Sequence, residues 1–421
     1  MKGNVLVITL TASILRFSMR MAMPYFSLFV LALGGRPEEI GYVRMARTLA
    51  ALIMFPIAGY VTDQRGRVKI IAVAGYLSAL TFLFYIFAMD WTTIAMGTFL
   101  QGLVMIQFPA VGAITADSLS PRRRGLGLAV AMTVPDAVSI VSPYIGGYLI
   151  DRYGAVAALR WIFTFILVFR LLSATIRLKF LKETVEAPNS ASSILSIPQV
   201  MKDSYRSVIE ALRWMPRNLW FLATVMTLIF FSNSIVGPFW VVYAVDVVGL
   251  SATQWGLLGL ISTALRSVLG IPAGLLVDRV SKRMIIIAGI ASTVLPVYYF
   301  INAKTFWDVL AVTIVTSTAN AFLMPACQAL VADCVPRERR GRIMSAIGRG
   351  IIRVTGAGGD GGGVGLGMGF ILSIPVIVGS LAGGYIYSAN SANPWMIMTG
   401  ALVTCTALSV AFIREPHKKE L

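Results

Sequence analysis

The sequence is poor in the residues that most chemistry requires. It holds one histidine, His417, close to its end, so a histidine-based metal site or general base within the body of the chain is excluded. Its three cysteines, Cys327, Cys334 and Cys405, lie in or at the ends of apolar segments and offer neither a disulfide framework nor metal-ligand spacing. Charged residues make up only 13% of the chain, against roughly a quarter in a soluble domain. Acids are scarcest, 19 against 36 lysines and arginines, for a formal charge of +17. There is no G-x-x-x-x-G-K-[ST] phosphate loop and no nucleophile–base constellation, which argues against an ATP-driven engine and against an enzyme. No metal and no cofactor is expected.

What the chain has in excess is apolar length. Of its 421 residues 57% are hydrophobic, and the mean hydropathy is +0.79. The apolar residues come in runs of about 20 or more, enough to cross a ~30 Å hydrocarbon core as helix. The runs are continuous and not alternating, which excludes a transmembrane β-barrel. The fold class predicted is therefore all-α and polytopic, with about twelve transmembrane helices in a lipid bilayer. The first run spans fully and contains arginines, so it reads as a span and not as a cleavable signal.

Alternate connections carry the basic residues: Arg65, Arg67 and Lys69, then Arg122–Arg124, then Arg279, Lys282 and Arg283, then Arg337–Arg342. The intervening loops are short and nearly neutral. Positive charge marks the cytoplasmic side, so the excess charge reads as topology and not as a nucleic-acid surface. Both termini are expected in the cytoplasm of a multi-pass cell-membrane protein.

An internal repeat divides the chain. The turn Gly59 to Lys69, GYVTDQRGRVK, is answered by Gly274 to Arg283, GLLVDRVSKR, with Asp63 and Asp278 215 positions apart. Pro24-Tyr25-Phe26 answers to Pro238-Phe239-Trp240, and Asp117 to Asp333, each aspartate preceding a basic turn. Gly146-Gly147-Tyr148 matches Gly383-Gly384-Tyr385 at a larger offset, which places about 21 extra residues between Arg342 and Gly369. That insertion holds the run GAGGDGGGVGLGMG and reads as a loop or a loosened helix start. The predicted organisation is a six-helix bundle over 1–180, a cytoplasmic linker over 181–217 and a second six-helix bundle over 218–414. The Gly-rich insertion falls near 349–369, and the tail is 415–421.

Two pseudo-symmetric six-helix halves joined by a cytoplasmic linker resemble the major facilitator superfamily of secondary transporters. The turn after the second helix carries the likeness through Gly59, Asp63, Gly66, Arg67 and Lys69. The resemblance implies alternating access to a midplane site between the halves. It also implies a conformational latch of Gly59, Asp63, Gly66, Arg67 and Asp117, echoed by Gly274, Asp278 and Asp333. In the fifth helix Ser142-Pro143-Tyr144-Ile145-Gly146-Gly147 is similar to the G-P-x-x-G-G of proton-coupled exporters, with the first glycine replaced. Pro143, Gly146 and Gly147 then serve helix contact. The arginine that similar exporters carry in the fourth helix is missing, and Thr98 stands there.

Charged side chains inside the spans are costly by ~3 kcal/mol or more and mark function. At ~1.5 Å per residue, Arg16 and Asp136 each lie about 16 Å from the cytoplasmic end, and Arg47 is about 13 Å deep from the other side. Arg266 is likewise deep. A substrate or coupling cavity is expected from Arg16, Arg47, Asp136 and Arg266 with Gln101, Asn233 and Asn320; Tyr25 and Trp240 could add walls, although apolar core is the expected role for either. Arg20 and Arg44 are equally consistent with structural pairing. Arg170 is expected to snorkel toward an interface. Several arginines against one aspartate favour an anionic or zwitterionic substrate. The sequence thus reads as a monomeric secondary transporter that exports a small molecule against protons. Two alternatives stay open, a multidrug exporter of lipophilic cations and a non-transporting membrane sensor.

Overall fold

The computed structural model describes residues 3–64, 67–119, 124–184, 199, 202, 206, 210, 213, 215–335, 343, 347, 348, 352–356 and 369–415. Every regular element among them is helical. The helices of the first half are α1 (Asn4–Ala22), α2 (Phe26–Ala32), α3 (Pro37–Gln64), α4 (Arg67–Leu80) and α5 (Phe82–Ile86). They continue as α6 (Trp91–Leu103), α7 (Gln107–Asp117), α8 (Arg124–Val138), α9 (Ser142–Tyr153) and α10 (Ala155–Phe180). The second half has α11 (Arg217–Val236), α12 (Phe239–Asp246), α13 (Ala252–Arg279), α14 (Lys282–Tyr299), α15 (Phe306–Cys334), α16 (Phe370–Ala389) and α17 (Asn393–Phe412).

Several spans are broken helices stacked end to end, so α1–α2, α4–α5, α6–α7, α8–α9 and α11–α12 are each one passage. Among the described residues ten passages are long and apolar enough to cross a membrane. The charged 28-residue α3 and the interrupted α8–α9 complete twelve. The breaks have local causes. Pro24 interrupts α1–α2 with a 3-10 turn, and Pro238 stands at the N-cap of α12 at the corresponding place, because proline has no N–H for the preceding turn. Three of the helix starts away from the basic loops are capped by side chains. Asp90 accepts from the Thr93 N–H at 2.9 Å, and Ser251–Gln254 and Thr305–Asp308 form capping boxes. Hydrogen bonds from the Thr93 N–H and its hydroxyl hold the Asp90 carboxyl below the usual carboxylate range.

The chain forms two compact units, one of residues 1–35 and 46–205, the other of 36–45 and 206–421. The first turns of α3 thus group with the second unit, where Tyr42 hydrogen-bonds Tyr385 and a Cβ at Gly41 would stand 2.4 Å from the Ser380 carbonyl.

Within each unit the repeat reaches the interior. In the first, Phe26 lies 5.6 Å from Tyr85, which lies 5.1 Å from Phe163. In the second, Trp240 lies 4.4 Å from Phe300, which lies 5.2 Å from Trp395. Aromatic pairs at these separations add to simple burial. The close crossings repeat too. A Cβ on Gly146 would stand 2.1 Å from the Met21 carbonyl, and one on Gly383 2.7 Å from that of Ile235. Only glycine permits α9 to meet α1, and α16 to meet α11, at that distance.

Tyr25 and Trp240 are core residues in this structure and not open cavity walls. Tyr25 is fully buried and donates to the Pro143 carbonyl at 2.6 Å. Trp240 is buried against Phe300 and Trp395.

Candidate functional site

The charged centre of the first unit is built on α1 and α8. Arg16 and Arg20 are one turn apart and so share a face of α1. Both reach Asp136 near the end of α8, through Arg16 Nη1 at 2.8 Å and Arg20 Nη2 at 3.0 Å, on the same oxygen, Oδ1. Arg16 also donates to the Met132 carbonyl at 3.3 Å. The helix stops two residues after Asp136 and restarts at Ser142 with Pro143 in its first turn, where proline is tolerated. The pair is not sealed: the side chains of Arg16 and Asp136 keep 35% and 36% exposure, while Arg20 keeps 16%. A carboxylate held by two guanidiniums and open on one side can give them up for a proton, and the guanidiniums so released can take an arriving anion.

Arg47 and Gln101 lie elsewhere in the same unit. The Arg47 Nε and Gln101 Nε2 are buried without hydrogen-bond partners. A Cβ at Gly102 would stand 2.5 Å from the Arg47 carbonyl, so α3 and α6 touch there. Arg170 does not snorkel. It points into the unit, donating to Ser78 Oγ and Met19 Sδ, with its guanidinium 5.0 Å from the Phe82 ring centroid. Burial over an aromatic face replaces the interface that sequence alone led one to expect for it.

In the second unit the expected cavity residues are engaged by the protein itself. Arg266 folds back on α13, donating to Ser262 Oγ at 2.7 Å and Thr263 Oγ1 at 3.3 Å. Asn233 and Asn320 clasp the non-helical segment 352–356. Asn320 donates to the Val354 carbonyl at 2.8 Å and accepts from its N–H at 2.9 Å. Asn233 donates to the Arg353 carbonyl and accepts from the Thr355 N–H at 2.9 Å and hydroxyl at 2.8 Å. Ile352 and Val354 are fully buried. These five residues form a loop without regular secondary structure, packed inside the bundle. Residues 357–368 of the Gly-rich run lie outside the described residues.

The basic end of each unit carries a matched network. Arg67 pairs with Asp117 in the first unit, and Lys282 with Asp333 at 2.9 Å in the second. Asn4 donates to Ser118 Oγ at 3.0 Å and brackets the backbone of Lys182, both contacts at 2.8 Å. Asn218 likewise donates to Cys334 Sγ at 3.4 Å and brackets the backbone of Arg414, at 2.6 and 2.9 Å. Glu183 accepts from the Val68 N–H at 2.9 Å, and Glu415 from the Arg283 N–H at 3.0 Å. Each of these carboxylates sits on a helix N-terminus, where unpaired N–H groups and the dipole favour negative charge. Asn4, Asn218, Glu183 and Glu415 were not foreseen, although Phe180-Leu181-Lys182-Glu183 and Phe412-Ile413-Arg414-Glu415 are visible as a repeat.

Of the other expected latch residues, Asp278 is exposed and forms no ion pair among the described residues. Gly274 has nothing within 4 Å of an added Cβ, so no close helix approach depends on it in this structure. Gly66 and the side-chain surroundings of Gly59 and Asp63 lie outside the described residues.

The comparisons agree with this architecture. The chain is 24% identical to the multidrug resistance protein MdtG of Proteus mirabilis over 77% of its own length and 79% of that protein's. It is 22% identical to the multi-drug resistance efflux pump PmrA of Streptococcus pneumoniae over 78% and 80%. Its fold matches a bacterial homologue of the iron transporter ferroportin, crystallised in an inward-facing state, with a TM-score of 0.72 at 13% identity and coverage of 97% and 98%. The sequence profile of the Major Facilitator Superfamily matches residues 8–232 and again 221–421. A chain of two six-passage units with that profile over both is a transporter and not an enzyme, and it belongs to the major facilitator superfamily.

Proposed function

We propose that this chain exports an organic anion or zwitterion in exchange for protons. The observation that supports this reading is the Asp136 carboxylate held by Arg16 and Arg20 and still partly open. A net positive centre attracts anions, and one carboxylate among arginines gives a proton a place to compete. The reading predicts that a proton gradient drives accumulation of an organic anion in proteoliposomes, and that a protonophore collapses it. Accumulation of lipophilic cations alone would overturn it. That second reading has its own support in the names of the relatives, which are multidrug resistance and efflux proteins.

The Arg67–Asp117 pair and its counterpart Lys282–Asp333 act, on this reading, as latches that favour one access state. Asp117→Asn is expected to slow transport about tenfold, equivalent to about 1.4 kcal/mol, with substrate affinity and melting temperature little changed. An unchanged transport rate would reduce the network to a topological signal.

Both termini and the 181–217 connection belong, on this reading, to the cytoplasm, because that side holds nearly all the loop arginines. A cysteine introduced at Ser190 should resist a membrane-impermeant thiol reagent in intact cells and react after lysis. Labelling in intact cells would reverse the topology.

A further inference from the structure

The interior of the first unit holds a second group of basic side chains that the Asp136 pair does not explain. Arg170 lies within electrostatic reach of Arg47, Arg177 and Tyr85, and Arg47 within reach of Tyr85. Tyr85 donates to Thr98 Oγ1 at 3.1 Å, one turn before Gln101 on α6, which ties α5 and α6 into the same neighbourhood. Among the described residues neither Arg47 nor Arg170 forms an ion pair.

The hydrogen-bonding deficit has one sign. Arg47 Nε, Gln101 Nε2 and Arg170 Nε are all buried donors without an acceptor. Ser173 Oγ, one turn along α10 from Arg170, is also buried and unpartnered, and the residue is only 2% exposed. Gln101 is 8% exposed. Arg47 and Gln101 lie ten residues, or about 15 Å, from the ends of α3 and α6 away from the basic loops, and Arg170 lies as far from the basic end of α10, so all three stand well inside their spans. Bare guanidinium charge at that depth is costly, and an unmade buried hydrogen bond costs about 1–3 kcal/mol. Natural interiors resolve such a deficit with a partner that supplies both acceptors and negative charge.

We propose that Arg47, Gln101, Arg170 and Ser173 line a binding site for one small inorganic anion of chloride size inside the first unit. The donors come from three separate passages, α3, α6 and α10, so the anion ties the bundle together as well as neutralising it. Arg47 and Gln101 are thereby assigned to a resident ion and not to a moving substrate. This assignment does not depend on the transport reading, because binding is measured without a gradient or a substrate.

The test is thermal unfolding of the purified full chain in sodium gluconate, with chloride or bromide replacing gluconate at constant ionic strength. Chloride should raise the melting temperature saturably by about 5 °C, as expected for a ligand that binds only the folded state. Gln101→Leu and Ser173→Ala replace a donor by an apolar group of similar shape and should unfold no lower than the parent in gluconate. Both should lose most of the chloride-dependent rise. Equilibrium binding of radiolabelled chloride should give one ion per chain in the parent and a loss of affinity of about tenfold in Gln101→Leu. A flat halide titration, an equal rise in parent and variants, or stabilisation only by organic anions would each overturn the assignment.

Discussion

Asp136→Asn is expected to abolish proton-driven accumulation of substrate while substrate-for-substrate exchange at equal pH continues. Asparagine keeps the shape of the side chain but neither the charge nor the ability to take up a proton. In the parent, one oxygen of Asp136 holds two guanidiniums, at 2.8 and 3.0 Å. If the aspartate is protonated in one access state and paired in the other, the gradient is coupled to the substrate through differential binding to the two states. Removing the proton site removes the coupling but leaves the path. The loss should exceed about tenfold in concentrating power, and Asp136→Glu should restore part of it. Arg16→Ala should instead weaken anion binding, because it removes the more exposed of the two guanidiniums. Concentrative uptake by Asp136→Asn under a proton gradient would make the aspartate a structural partner of α1 and move coupling elsewhere.

The matched depth of Arg16 and Asp136, which meet in the structure, was legible because depth is readable in a membrane protein. Counting residues from a basic loop fixes a height along the membrane normal, and two opposite charges at one height on neighbouring helices have strong reason to meet. The repeat was legible for the same kind of reason. Pro24 and Pro238, Asp117 and Asp333, and Gly146 and Gly383 are residue types whose geometry or charge leaves little choice of role inside a span. Azimuth was not readable. Most spans are apolar on every side, so nothing in the sequence says which way Arg170 points, and the structure turns it toward Ser78 and Phe82. Arg20 was left undecided between pairing and cavity for that reason, and the structure gives it a share in Asp136.

Asn233 and Asn320 were misjudged for a different reason. A buried asparagine signals that some polar partner exists, not which one. The partner proved to be main chain, contributed by an insertion whose sequence advertises only flexibility. A non-helical segment such as 352–356 is tolerated inside a membrane-spanning bundle only where protein groups satisfy its N–H and C=O groups.

That requirement sets the largest stability effect expected in the molecule. Asn320 stands halfway along the 29-residue α15 and satisfies both polar groups of Val354, a residue with no exposed surface. Asn320→Leu fills the same space but orphans a buried N–H and a buried C=O together. At about 1–3 kcal/mol for each group the expected loss is about 2–6 kcal/mol, at its upper end a large share of the about 5–15 kcal/mol that holds a domain folded. The melting temperature of the purified protein should fall by about 5 °C or more. Asn233→Leu should act in the same direction, because it releases the Arg353 carbonyl and the Thr355 N–H. The two losses should be less than additive: once one clasp is gone the segment leaves the bundle, and its groups find water whether or not the second remains. Additive losses would mean that each asparagine supports its own surroundings independently. An unchanged melting temperature in Asn320→Leu would mean that the 352–356 segment is not held in the bundle in the folded protein.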